Sequence, residues 1–131
     1  MMGPDAAEAA ARHVPGPEFR NQRKEAPVAQ FHHVGVPTSA QQPAETYIEG
    51  GKVHITDPQA HPYKFEYLRF EPGSPMPEVM QKNPHIAYMV DDLGKALQGE
   101  EVIVEPFDAM PTLRVAFIVK DNIVVELMQS L

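Results

Sequence analysis

The chain has 131 residues, is 43% apolar, lacks cysteine and carries a formal net charge of −7. That length holds one domain, and the missing thiols exclude disulfides and thiolate-held metals. No basic run exceeds Arg23-Lys24, so no nucleic acid partner is expected. No segment reaches the roughly 18 apolar residues of a membrane span. The N-terminus lacks a basic-then-apolar secretory pattern. The expectation is a cytoplasmic protein with no membrane partner.

Fourteen prolines and eight glycines point to short elements joined by turns. Residues 1–29 read as a disordered leader. Asp5 can cap an alanine-rich turn running to Arg12, but Pro15, Pro17 and Pro27 then interrupt the chain. The domain is expected over 30–131. It opens with a strand over 31–36, ended by Pro37. One or two helical turns are expected over 43–50, started by Pro43 and stopped by Gly50-Gly51. Strands follow over 52–56 and 63–70, then a proline-rich connection over 71–83.

A second series begins with a strand over 85–90. Asp91 or Asp92 caps a short helix over 93–98, with Gly99 as its stop. A strand over 101–105 ends at Pro106. Strands over 113–119 and 123–128 form a hairpin turning at Lys120-Asp121-Asn122. The second series reads β-α-β-β-β and the first β-α-β-β, one strand short. The chain is therefore read as an internal repeat of class α+β, with module one over 30–75 and module two over 83–131.

The two halves offer matching polar residues. His33 shares a strand face with Gly35, and His85 with Ala87, so each imidazole has a small neighbour. Glu66 shares a face with Leu68 and Phe70, and Glu126 with Val124 and Met128. A carboxylate on an apolar face is costly to bury unless its charge is compensated. A divalent metal would compensate both acids and accept two neutral imidazoles. Two histidines with two carboxylates suit zinc, nickel, iron, cobalt or manganese. Such an ion can polarise a carbonyl, and a detached carboxylate can act as a general base beside it.

The run His33-Val34-Gly35-Val36-Pro37-Thr38, the stretch from His85 through Asp91-Asp92-Leu93, the stretch from Gly99 to Pro106, and Val124-Val125-Glu126-Leu127 carry a resemblance. Together they resemble the vicinal-oxygen-chelate superfamily, which includes glyoxalase I, extradiol dioxygenases and bleomycin-resistance proteins. The resemblance covers about 31–131. It implies paired βαβββ modules curving into a cup-like mixed sheet around a divalent metal. It implies His33, Glu66, His85 and Glu126 as ligands, with Glu66 and Glu126 also catalytic. Only 27 residues, 39–65, separate Thr38 from Glu66, so the first module is abbreviated.

The resemblance implies a metal-dependent lyase or isomerase of the glyoxalase kind, acting on a small oxygenated substrate through chelation and enolate stabilisation. The alternative is a metal-free small-molecule binder of the bleomycin-resistance type. A homodimer is expected from the same resemblance. Of the remaining candidates, His32 falls on the strand face opposite His33, and His54 and His61 flank a loop near the mouth of the cup. Tyr63, Tyr67 and Tyr88 read as packing residues. Arg114 reads as a structural ion-pair partner. Met76, Met80, Met89, Met110 and Met128 read as core or pocket lining.

Overall fold

Short runs of β-branched and aromatic residues, punctuated by proline and glycine, build eight strands in the computed structural model, which describes residues 29–131. The leader expected before residue 30 lies outside the described residues, apart from Ala29. The first module supplies β1 (Ala29–Pro37), β2 (Thr46–Ile48), β3 (Val53–Ile55) and β4 (Phe65–Phe70). A short helix α1 (Glu78–Lys82) follows within the proline-rich connection. The second module supplies β5 (His85–Val90), helix α2 (Leu93–Ala96), β6 (Glu101–Met110), β7 (Leu113–Lys120) and β8 (Ile123–Ser130).

The strands form one curled mixed sheet, a half-barrel of order β2-β3-β4-β1-β5-β8-β7-β6. Read outward from the middle, β1-β4-β3-β2 matches β5-β8-β7-β6. In each module the first strand runs parallel to the last, and β1 meets β5 antiparallel at the centre. The expected cup of two repeated modules is thus present.

Module one is abbreviated differently from the expectation. Residues 43–50 form no α-helix. Thr46-Tyr47-Ile48 forms β2, pairing Thr46 with Ile55 and Ile48 with Val53, and Glu49–Gly51 makes a single 3-10 turn. A branched-aromatic-branched triplet favours the pleated surface over a helix, and the two glycines serve a tight reversal. All four strands survive, and the crossover helix is the missing element. The second correction is on β6, which continues through Pro106 to Met110. As an edge strand it can place Pro106 at an irregular register, where no ladder donor is needed.

Two cores pack against the sheet. Inside the cup, Met80 from α1 joins Ala87, Val115, Phe117, Val124 and Met128. On the other face Leu93 is the anchor of α2, packed with Val90, Ala116, Ile118 and Leu127. A four-residue helix has no stability of its own. Burying Leu93 contributes about 1.5–3 kcal/mol, and the Asp92 side chain caps the turn by accepting from the Lys95 amide at 3.0 Å. The expected hairpin is present, with Asp121 and Asn122 at φ 52° and 65° as a two-residue turn requires.

Candidate metal centre

Register brings the four sequence-predicted ligands together. His33 on β1 lies opposite Ala87 on β5, and Gly35 lies opposite His85. Glu66 on β4 is aligned with Gly35, and Glu126 on β8 with Ala87. Directly paired residues share a face, so two rows cross the sheet: Glu66-Gly35-His85 and His33-Ala87-Glu126. Each row has a small residue in its middle. The space left beside each imidazole therefore belongs to the histidine of the other module, which the single-strand reading did not show.

Oε1 of Glu126 lies 3.0 Å from Nε2 of His85 and 3.3 Å from Nε2 of His33. Oε1 of Glu66 lies 3.4 Å from the same His33 nitrogen. One ligand atom from each of the four residues falls within 4.8 Å of the others. His33 and His85 are each only 1% exposed, and Glu126 is 8% exposed. Two atoms held roughly 2.1 Å from one ion stand roughly 3.0–3.4 Å apart at right or tetrahedral angles. The three short separations match those edges, and the remaining pairs, all within 4.8 Å, would draw in around an ion. Nε2 of His33 and Nδ1 of His85 also make no hydrogen bond of good geometry. A buried orphan nitrogen facing two carboxylates is what a ligand position leaves when no ion satisfies it.

Without an ion, a proton provides the compensation. Burial works against a charged imidazole at His33, but Glu126 and Glu66 prevail and push it up to about 9. Burial likewise opposes ionisation of Glu126, yet His33 and His85 hold its carboxyl down at about 2. Among the described residues no lysine or arginine pairs with either carboxylate.

His32 is the residue that sequence reasoning misplaced. An extra residue on β1 between Phe31 and His33 makes a bulge, and the ring of His32 turns to the cup side. Its Nδ1 lies 2.8 Å from Nδ1 of His33. Burial, then the neighbouring His33 charge, lowers the pKa of His32, which suits a neutral ring accepting the His33 Nδ1–H. That bond directs Nε2 of His33 at the carboxylates, the orientation a ligand needs. His32→Phe should weaken divalent-metal affinity about 10–100-fold with an unchanged fold. His32→Asn, which keeps an acceptor, should recover part of it in chelator-competition titrations. Equal affinity in all three proteins would mean that packing alone orients His33.

Other candidates fall away from the cluster. His54 bonds Glu71 at 2.8 Å beside the Glu45–Arg69 ion pair, on the face opposite Val53 and Ile55. His61 stacks on Phe65 with ring centroids 4.7 Å apart. Neither lines the chambers at the cluster, contrary to their expected place at the mouth. Tyr63, 73% exposed, lies against His61 and Phe65 at the surface and not in the core, and Tyr67 and Tyr88 pack against aromatic neighbours. Arg114 pairs with Asp108 at 2.7 Å, the structural role expected. Met76, Met80, Met110 and Met128 line the deep cavity, and Met89 lines the open chamber.

The class this defines is a half-barrel of two repeated modules enclosing a buried group of two histidines and two glutamates that could hold a metal ion. Comparison with protein-family models and with the curated proteins gives no match. Among the described residues no helix is long and apolar enough to cross a membrane.

Proposed function

We propose that the protein is a divalent-metal-dependent lyase or isomerase, similar to the glyoxalase branch of the vicinal-oxygen-chelate superfamily, acting on a small oxygenated substrate. The observation that carries this reading is the convergence of His33, Glu66, His85 and Glu126 from both modules on one buried point. His33 and His85 would hold the ion through Nε2, with Glu66 and Glu126 completing the set. A bound divalent ion would polarise a substrate carbonyl and steady the charge that develops when a neighbouring proton is lost.

The two glutamates differ in surroundings. Glu126 is held by both histidines and faces only the deep cavity. Glu66 meets only His33 and fronts both the deep cavity and the open chamber beside it. Glu66 is therefore the better placed base, positioned to take a proton from a substrate that would arrive through that chamber. Glu126 keeps the histidines oriented.

Elemental analysis of the purified protein beside a His85→Ala, Glu126→Ala variant tests the reading. The expected result is near-stoichiometric metal after loading with zinc, nickel, iron, cobalt or manganese, absent from a variant that retains its far-ultraviolet spectrum. A parent that takes up no metal after such loading would overturn it and favour a metal-free binder.

A further inference from the structure

Two spaces meet at the cluster. The outer one is an open chamber of about 530 Å³ that His32, His33 and Glu66 share with Asp57, Thr112 and Ser130. The inner one is a cavity of about 80 Å³ running past Glu66 and Glu126 into the cup. Its wall comes from both modules: Val53 and Leu68 from one, Val115, Phe117 and Met128 from the other. Neither lining contains a lysine or arginine. The charged side chains on them, histidines aside, are Glu66, Glu126 and Asp57.

Resting on the metal reading above, we propose that the site takes a chelating molecule with a short apolar group, carrying no negative charge beyond its chelating oxygens. The paired oxygens would sit at the cluster and the apolar group in the inner cavity. An apolar wall loses nothing on contact with hydrocarbon, whereas a carboxylate or phosphate there would lose hydration and gain no cation. The inner volume is about half that of a cavity known to take a benzene ring, so it suits a group of roughly three or four carbons.

Straight-chain alkyl hydroxamic acids, which present two neighbouring oxygens, are suitable probes of the cobalt-loaded protein. The visible spectrum of cobalt reports chelation, and titration calorimetry reports affinity. Affinity is expected to rise about fourfold per buried methylene from the acetyl compound to a chain of roughly four carbons, then level or fall. A hydroxamate of the best length ending in a carboxylate should bind at least tenfold more weakly. Ala109→Leu, which narrows the inner cavity away from the cluster, should move the best length down by one or two carbons with the cobalt spectrum unchanged.

The outcomes separate. A changed spectrum with affinity indifferent to chain length, or an ω-carboxylate that binds equally well, overturns the substrate class and leaves the metal centre standing. A cobalt spectrum that no hydroxamate alters overturns this proposal alone, whereas a protein that binds no cobalt overturns the metal reading and this proposal with it.

Discussion

Glu126→Gln should lower divalent-metal affinity by at least about a hundredfold while leaving a folded protein. Losing a partner one shell out from a metal commonly costs 10–100-fold, and Glu126 supplies an oxygen to the cluster itself, 3.0 and 3.3 Å from the two imidazoles. The amide keeps the volume and one acceptor oxygen, so His85 Nε2–H can still donate and the core does not collapse. The charge is what disappears. Chelator-competition titration measures the loss, and an affinity within threefold of the parent would remove Glu126 from the ligand set.

The same variant carries a pH signature in metal-free protein. His33 is raised from 6.5 to about 9. Its stabilisation is therefore fully present below pH 6.5 and lost as pH climbs through 9. Glu126 is lowered from 4.5 to about 2, so its stabilisation is present above 4.5 and lost as pH falls through 2. The parent should be steady between these windows. It should lose on the order of 2 kcal/mol between pH 6.5 and 9, read as a shift in the urea midpoint. Glu126→Gln removes one of the two carboxylates holding that proton, so its midpoint should change less over the same range. A metal has to displace the His33 proton as well. Parent affinity should accordingly climb with pH, by up to about tenfold per unit, and flatten near 9.

The cluster was legible because strand alternation is a strict rule. His33, His85, Glu66 and Glu126 each lie in a run whose apolar neighbours fix one buried face, and the repeat sets the two modules against each other. The Asp121-Asn122 turn was legible for a similar reason, since few residues tolerate two positive φ angles in succession. What failed depends on tertiary context. Thr46-Tyr47-Ile48 lies between a helix-start proline and a glycine pair, and only pairing with Val53–Ile55 decides that it is a strand. His32 obeys alternation in sequence, but a bulge breaks that alternation and leaves its ring 2.8 Å from the neighbouring one. Pro106 ends a central strand but not an edge one, and strand order is not written locally.

Gly35→Ala should damage the protein more than its size suggests, and the sign of the change is diagnostic. A glycine inside a strand ordinarily weakens it, so replacement by alanine is expected to stabilise by about 0.4–1 kcal/mol where space allows. Here space does not allow it. A Cβ on Gly35 would overlap the His85 ring, nearest its Cε1. That ring is 1% exposed, and Phe117 stands edge-on to it at 5.3 Å. The imidazole can yield only by shifting within that packing. Overpacking of this kind costs about 1–3 kcal/mol. Whatever relief occurs must come from displacing His85 from its present place beside Glu126, so metal affinity should fall along with the urea midpoint. Ala87→Gly provides the comparison, because it empties the middle of the other row. It should cost about 1 kcal/mol in strand entropy and lost packing, with His33 still in place and metal still bound. Were Gly35→Ala more stable than the parent, with unchanged metal binding, His85 would not be pressed against β1, and the two-row construction of the site would be wrong.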